Sequence, residues 1–128
     1  MAVKGVVREE TDSSSSHTDP TYEVPPGAWW EGSRAKKGAS RTFANGKPIM
    51  REGDLYHPHV GWKNILAGDP LVPTQVPDQH SNVKAGEGSS TVFVEGRAVH
   101  LIDNKVVCKD NITRSKALTG SKNVLAAQ

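Results

Sequence analysis

The chain has 128 residues, of which 35% are hydrophobic and 23% are charged, and its formal net charge is +2 at pH 7. This length is enough for one domain, and the 12 glycines and 8 prolines spread along it exclude long helices, since each interior Gly or Pro costs a helix roughly 1 to 3 kcal/mol. Basic and acidic residues are interspersed, so the basic stripe of a nucleic-acid-binding protein is missing. No apolar run is long enough to cross a bilayer, and the N-terminus lacks the apolar core of a secretory signal.

A composition this polar predicts a thin hydrophobic core. Cys108 is the single cysteine, which excludes an internal disulfide. A bound metal ion is therefore the remaining strong constraint to look for in so small a domain. We expect one domain over residues 1–128 that is made in the cytoplasm.

The N-terminal part of the chain starts with a segment that resembles part of a later repeat. Val6–Asp12 reads VVREETD and resembles IMREGD at Ile49–Asp54. Four serines, a proline-rich stretch and the pair Trp29 and Trp30 follow. We predict an extended loop insertion over residues 13–33, in which the Trp pair packs as a local hydrophobic plug, and core repeats over 34–128.

Two longer copies of one pattern come next. Residues 38–54 read GASRTFANGKPIMREGD, and residues 88–103 read GSSTVFVEGRAVHLID, with a slip of one residue before the final aspartate. A third copy starts at Gly120 with GSKNVLA and stops at the C-terminus. The sequence therefore contains three copies of one pattern, and the third copy is divided between the two termini. Such repetition is typical of stacked or radially arranged β units.

Each copy predicts a small β-hairpin. Thr91–Val94 is a β-branched and aromatic run of strand length, and Arg97–Ile102 is its return strand. Glu95-Gly96 and Asn45-Gly46 are turn dipeptides in which glycine takes a positive φ. Because one hairpin is marginal in water, the three must share a core, and we predict an all-β fold.

The loop after each hairpin carries a possible metal ligand five residues beyond an aspartate. The pairs are Asp12 and His17, Asp54 and His59, and Asp103 and Cys108. If the repeats surround a pseudo-threefold axis, these three ligands approach the axis at one height.

A fourth ligand would close a structural zinc site, since such sites use four Cys and His side chains in a tetrahedron. His80 lies in the loop before the second longer copy and completes the set His17, His59, His80 and Cys108. His57 stays open as a replacement for His17 or His59, or as a solvated side chain. His100 lies in a strand, where a structural role is the default.

The two longer copies resemble the PAAR-repeat family. In that family a Gly-Ser, an apolar strand, Gly-[Lys/Arg]-Pro and a Pro-Ala-Ala-Arg signature recur and end in Gly-Asp. Gly46-Lys47-Pro48 matches, whereas Pro48-Ile49-Met50-Arg51 and Ala98-Val99-His100-Leu101 stand where the signature is expected. The resemblance covers residues 38–125 and, more loosely, the first dozen residues.

The resemblance implies a small conical fold of three quasi-equivalent β-hairpins around a pseudo-threefold axis, with a metal ion at the apex. The family's three His and one Cys fall on His17, His59, His80 and Cys108, with zinc as the expected metal and iron as the alternative. The implied function is a structural tip that caps and sharpens the homotrimeric β-helical spike of a contractile injection machine, one cap per trimer. It would touch the target cell envelope transiently.

The absence of cargo after the third copy favours a phage tail, so we expect the chain in the virion, at the distal end of the baseplate spike, after synthesis in the host bacterial cytoplasm. The hairpins facing the spike should be apolar. The residues expected in the core or at this base are Phe43, Ile49, Val92, Phe93, Val94 and Val99.

Two other functions stay open. One is a type VI secretion tip or adaptor that carries an effector, in which the region up to Ser33 recruits the cargo. The other is a small zinc or thiol hydrolase with Cys108 as nucleophile and His100 as base. For the hydrolase, no third orienting group or oxyanion loop is found, and we expect no enzymatic activity.

Overall fold

The computed structural model describes residues 3–19, 28–58, 61–66, 71–75, 83–108 and 115–128. In these ranges all regular secondary structure is β, so the predicted all-β class is confirmed. No helix there is long and apolar enough to cross a membrane. The strands are β1 (Val3–Gly5), β2 (His17–Asp19), β3 (Ala28–Trp30), β4 (Phe43–Ala44), β5 (Lys47–Pro48), β6 (Gly61–Leu66), β7 (Leu71–Gln75), β8 (Lys84–Ala85), β9 (Phe93–Val94), β10 (Arg97–Ala98), β11 (Lys105–Val107), β12 (Ser115–Lys116) and β13 (Leu125–Ala127).

Three antiparallel strand pairs correspond to the three copies of the sequence pattern. β4 pairs with β5, β9 pairs with β10, and the terminal strands β1 and β13 pair with each other. The pairs Ala44 with Lys47, Val94 with Arg97, and Ala126 with Lys4 hold the same place in each. The third hairpin is thus assembled from the two chain ends, as the division of the third copy between the termini predicts.

The two continuous hairpins turn at the predicted dipeptides. Asn45 and Gly46 have φ values of 54° and 77°, and Glu95 and Gly96 have 49° and 83°. Positive φ at both central residues is the geometry of the type I′ turn, whose twist matches that of the flanking strands.

The pairing defines three units with equivalent positions. The first unit is residues 33–58, the second unit is residues 83–108, and the split unit is residues 115–128 followed by 3–16. In each unit a short segment precedes the hairpin, and the segment that follows the hairpin forms hydrogen bonds with a neighbouring unit.

A closed ring of three backbone hydrogen bonds joins the units. The amide of Met50 donates to the carbonyl of Val7 (2.8 Å), that of His100 donates to Met50 (3.0 Å), and that of Val7 donates to His100 (3.0 Å). The three residues follow the hairpins at equivalent positions, and all three side chains are fully buried. Because the third bond returns to the first residue, the units enclose a common centre instead of forming an open sheet.

Two buried clusters fill the interior. The cluster near the hairpins consists of Val6, Ala44, Ile49, Val99, Leu101 and Ala126, with Val92, Val94 and Val124 packed against it. The second cluster consists of Val7, Ala35, Met50, Tyr56, Val83, Ala85, Val106, Cys108 and Ala117. Of the residues predicted for core or base, Ile49 and Val99 are buried, and Phe43 and Phe93 are exposed.

The glycine that opens each copy allows a close approach of two backbones. A Cβ atom on Gly38 would lie 2.5 Å from the carbonyl oxygen of Ile49. At Gly88 and Gly120 a Cβ would lie 2.9 Å and 3.0 Å from the carbonyl oxygens of Val99 and Val6. This repeated contact explains why each copy begins with Gly.

Chain segments between the units form a separate four-stranded sheet in the order β2-β3-β6-β7. Two of these strands, β2 and β3, lie within the predicted loop 13–33, whereas Ser13 and Ser14 pair with Arg34 and Ala117 and so belong to the split unit. Of the predicted Trp pair, Trp30 is buried, and the side chain of Trp29 lies outside those described.

Candidate docking face and metal site

Each hairpin exposes a large apolar side chain at the same position, and the split hairpin exposes Val3 as well. Phe43, Phe93 and Leu125 are 55%, 61% and 50% exposed. Each pairs across its hairpin, with Pro48, Ala98 and Gly5 respectively. The face formed by these three residues, called here the hairpin face, is apolar and repeats around the ring of three units.

The turn of the second unit is tied to the first unit through Glu95. Its carboxylate accepts hydrogen bonds from the amides of Ser40 (3.3 Å) and Arg41 (3.0 Å) and from the hydroxyls of Ser40 (3.0 Å) and Thr42 (2.8 Å). The hydrogen bond from Thr42, followed by that from the Arg41 amide, lowers the pKa of Glu95 to about 2. The position of this turn is therefore set by the ionised carboxylate.

The other two turns make the corresponding contacts. The Asn45 amide nitrogen donates to Asn123 (2.8 Å), and its oxygen accepts from the Ser121 hydroxyl (2.7 Å), so the first unit contacts the split unit. The Ser89 and Ser90 hydroxyls of the second unit donate to the carbonyls of Ala127 and Gln128 in the split unit. Hydrogen bonds at the hairpin turns thus join the three units in a closed circuit around the hairpin face.

Two of the three aspartates predicted to mark the repeats are capping residues. Asp12 accepts a hydrogen bond from the amide of Arg8 (2.9 Å), and Asp54 accepts one from the amide of Arg51 (2.9 Å). In the second unit Asn104, not Asp103, makes this contact, to the amide of Leu101 (2.8 Å). The equivalence assigned to Asp103 is therefore corrected to Asn104, and the copies align here without a slip.

With Asn104 as the equivalent of Asp12 and Asp54, the predicted ligands no longer follow the capping residue by the same number of residues. Ser14, Tyr56 and Val106 are equivalent because they pair with Ala117, Ala35 and Ala85. Two residues further, Cys108 occupies the place of Ser16 and Pro58. In the sequence, His17 and His59 follow that place by one residue, because the five-residue spacing was counted from aspartates that are not all equivalent.

Cys108 is the predicted ligand that the structure describes most fully. Its side chain is buried, and its Sγ donates to the Ser115 hydroxyl at 3.8 Å. Burial raises the pKa of the thiol to about 11, with the Ser115 contact opposing the shift. A thiol in this environment is protonated at neutral pH, unlike an activated nucleophile.

Of the three predicted His ligands, only His17 lies among the described residues. His17 is in β2, where its backbone pairs with Trp30. His59 and His80 lie outside the described residues. Within the described ranges, no group of three or more His, Cys, Asp and Glu side chains is placed to hold a metal ion, and the quartet stays a prediction.

The remaining two histidines have polar partners. His57 Nε2 lies 2.6 Å from Glu10 Oε1. His100 Nδ1 lies 2.7 Å from the carbonyl oxygen of Glu87, and its Nε2 lies 2.9 Å from the Tyr56 hydroxyl. Both ring nitrogens of His100 are therefore used in structural contacts, which does not favour its role as base in the hydrolase alternative.

Sequence reasoning missed two features of these sites. Leu125 was absent from the predicted base residues, although aligning GSKNVLA with GSSTVFV places it opposite Phe93. The bond from Tyr56 to His100 joins residues 44 positions apart, and neither residue carries a local signal of it.

Comparison of the chain with protein-family models and with curated protein sequences finds no match.

Proposed function

We propose that this chain is a structural cap that seats on the end of a homotrimeric β-helical spike of a contractile particle, one cap per trimer. The observation that carries the proposal is the exposure of Phe43, Phe93 and Leu125 at equivalent places in three hairpins. A monomer with three repeated contacts can match three identical subunits at once. The nature of the spike is inferred from the resemblance to PAAR-repeat proteins.

The hairpin face suits a partner that ends in open strands. A β structure that stops abruptly presents unpaired N–H and C=O groups, which promote aggregation unless they are covered. Short hairpins held in a closed frame would cover such edges. Burying one large exposed side chain contributes about 1.5–3 kcal/mol, so three of them supply a substantial part of a stable complex.

We further propose a structural zinc site of His17, His59, His80 and Cys108 at the end opposite the hairpins, with iron as the alternative metal. Cys108 fits this role because it is a soft ligand already buried beside the common centre. Its thiol would lose a proton on metal binding, as thiolate ligation requires. Such a site would stabilise the narrow end, where there is little room for a hydrophobic core, and complete the conical fold.

The proposed work of the protein is mechanical and requires no catalysis. A cap that pierces the target envelope must resist unfolding while the particle pushes it. The closed ring of hydrogen bonds through Val7, Met50 and His100 supports this role because no unit can separate without breaking bonds to both others. We place the chain at the distal end of the spike in a phage virion.

The test is incorporation into contractile particles purified from cells that make the chain. Quantitative mass spectrometry should find one copy for each trimer of the spike protein. Replacing Phe43, Phe93 and Leu125 together by Ser should reduce this copy number at least tenfold without unfolding the purified cap.

The matched control replaces Leu118 by Ser, since this side chain is 54% exposed but lies outside the hairpins. This variant should be incorporated normally. Equal loss in both variants, or particles that contain no copies of the unmodified chain, would exclude the proposed cap.

A further inference from the structure

A cavity of about 210 Å³ lies beside Gly53, between residues of the first unit and Arg97 of the second unit. It is lined mainly by Lys37, Arg51, Gly53, Asp54, Leu55 and Arg97. The lining therefore carries three basic groups and one carboxylate. Such an excess of positive charge in a concave site attracts anions.

The position of Gly53 bears a carboxylate in the other two units. Glu10, Gly53 and Asp103 have positive φ values of 55°, 91° and 73°. Their amides donate to the equivalent carbonyls of Ala35, Ala85 and Ala117. The first unit thus adopts the same backbone but has no side chain at this place.

In the other two units the carboxylate binds two basic groups. Asp103 pairs with Lys4 at 2.9 Å and with Lys116 at 3.5 Å. Glu10 pairs with Arg34 at 3.1 Å, and its other oxygen lies 2.6 Å from His57. A carboxylate at this position is therefore a regular part of the unit.

Next to Gly53 the corresponding basic residues are present, and they come from the second unit. Arg97 occupies the place of Lys4, because both stand at the start of the return strand of their hairpins. Lys84 occupies the place of Lys116 and Arg34. With no carboxylate at position 53, Arg97 contacts Asp54 at 2.7 Å.

Asp54 does not balance these charges by itself. Its two oxygens already accept hydrogen bonds from Arg51 at 3.0 Å and 3.2 Å. Lys37 is exposed, and among the described residues it has no acidic partner. A Cβ atom on Gly53 would meet only the Arg97 Nη1 atom, at 3.1 Å, so an added group at this place would contact a cation.

We propose that this cavity binds a carboxylate supplied from outside the chain, in the place that Glu10 and Asp103 fill in the other two units. The carboxylate belongs either to a free small acid or to a Glu or Asp side chain of another polypeptide. Arg97 binds it through its planar guanidinium, Lys37 adds a second positive charge, and Leu55 contacts apolar atoms beside it. This site does not depend on the proposed docking to a spike.

The experiment is an NMR titration of the full chain at pH 7 and constant ionic strength, with chloride exchanged for the probe. The probes are acetate and a capped five-residue peptide with a single Glu beside a Leu. Resonances of the Gly53 amide and the Arg97 side chain should shift and saturate at probe concentrations on the order of millimolar, as expected for a solvent-accessible ion pair. Peptide binding at least tenfold tighter than acetate binding identifies a polypeptide side chain as the source, and equal binding identifies a free acid.

Three variants test the assignment. Arg97→Gln and Lys37→Gln should each weaken binding, Arg97→Gln at least tenfold. Gly53→Asp restores the internal carboxylate and should abolish binding, although the φ of 91° at this position strains any side chain and so opposes a gain in stability. Gly46→Asp is the matched control, since Gly46 also has a positive φ of 77° and has no atom within 4 Å of an added Cβ, and it should bind as the unmodified chain does.

Three results would overturn the proposal. The first is a set of shifts that never saturate with either probe. The second is binding that is unchanged in both Arg97→Gln and Lys37→Gln. The third is a Gly53→Asp protein that still binds acetate with the original affinity.

Discussion

The Nε2 atom of His100 lies 2.9 Å from the hydroxyl oxygen of Tyr56, in the buried centre where the three units meet. The other ring nitrogen faces the carbonyl oxygen of Glu87, which can only accept a hydrogen bond. Nδ1 therefore carries the proton, and Nε2 accepts the bond from Tyr56. The imidazole is neutral and fully satisfied in the folded protein.

Stability should fall as the pH is lowered through the range in which free histidine titrates. Burial lowers the pKa of His100 from its ordinary value of 6.5 to about 4. Between these values the unfolded chain binds a proton that the folded chain does not, so the free energy of unfolding decreases as the pH falls from about 6.5 to about 4. Over this range the free energy of unfolding should fall by about 3 kcal/mol, at about 1.4 kcal/mol per pH unit. Urea unfolding at pH 7 and pH 5 captures about 2 kcal/mol of it, and His100→Met should remove this dependence whereas His57→Gln should not.

Removing only the hydroxyl of Tyr56 should be more costly than removing both partners. Tyr56→Phe leaves Nε2 of His100 buried without a donor, and an unsatisfied buried polar atom costs about 1–3 kcal/mol. In the double variant, Tyr56→Phe is combined with His100→Met, which gives the second unit the Met that the first unit has at the equivalent position, Met50. The coupling energy from a double-mutant cycle in urea should be favourable. Additive losses would contradict the inferred bond.

The stabilisation by the turn contact of Glu95 should be lost at a lower pH than the stabilisation that depends on neutral His100. Hydrogen bonds from Thr42, Arg41 and Ser40 lower the pKa of Glu95 from 4.5 to about 2. Its contribution to stability is therefore complete above about pH 4.5 and is lost as the pH falls toward 2. Glu95→Gln should lower the melting temperature at pH 7, and Glu52→Gln, an exposed residue of the same charge in the first unit, should not. A melting temperature that falls equally in both variants would show that the turn contact is unimportant.

The cap of the split unit should be exchangeable for that of the second unit. Arg8 and Asp12 form two side-chain contacts of 2.8 Å and 3.1 Å, whereas Leu101 and Asn104 occupy these places in the second unit. Arg8→Leu combined with Asp12→Asn should keep the backbone cap and destabilise little. Asp12→Ala removes the acceptor and leaves the Arg8 charge without it, so we expect a loss of about 1–3 kcal/mol. Denaturant unfolding of the two variants decides whether the cap or the ion pair matters.

Metal content tests the proposed zinc site directly. The purified chain should contain close to one zinc per molecule by elemental analysis. Cys108→Ser, His17→Ala, His59→Ala or His80→Ala should each lose the metal together with stability. His100→Ala should retain it, because both nitrogens of His100 bond to other groups. A chain that folds normally without any transition metal would contradict the site.

The sequence alone determined the class of fold and its internal repetition. Glycine and proline spacing excluded long helices, and the dipeptides Asn45-Gly46 and Glu95-Gly96 located two hairpin turns, because turn geometry depends on neighbouring residues only. The partial copies at the two ends also predicted that the third hairpin joins the termini, since the pattern is continuous when the ends are brought together. Such local signals do not depend on the rest of the fold.

Only the tertiary structure decided which residues of the copies are equivalent and what they contact. The cap in the second unit is Asn104 and not Asp103. A backbone N–H donates to an Asn or an Asp side-chain oxygen alike, whereas an alignment favours the repeated aspartate. The contacts of His100 with Tyr56 and of Glu95 with Ser40 and Thr42 join distant parts of the chain. The empty carboxylate position at Gly53 likewise becomes visible only when the units are compared in space, because its surroundings come from two different units.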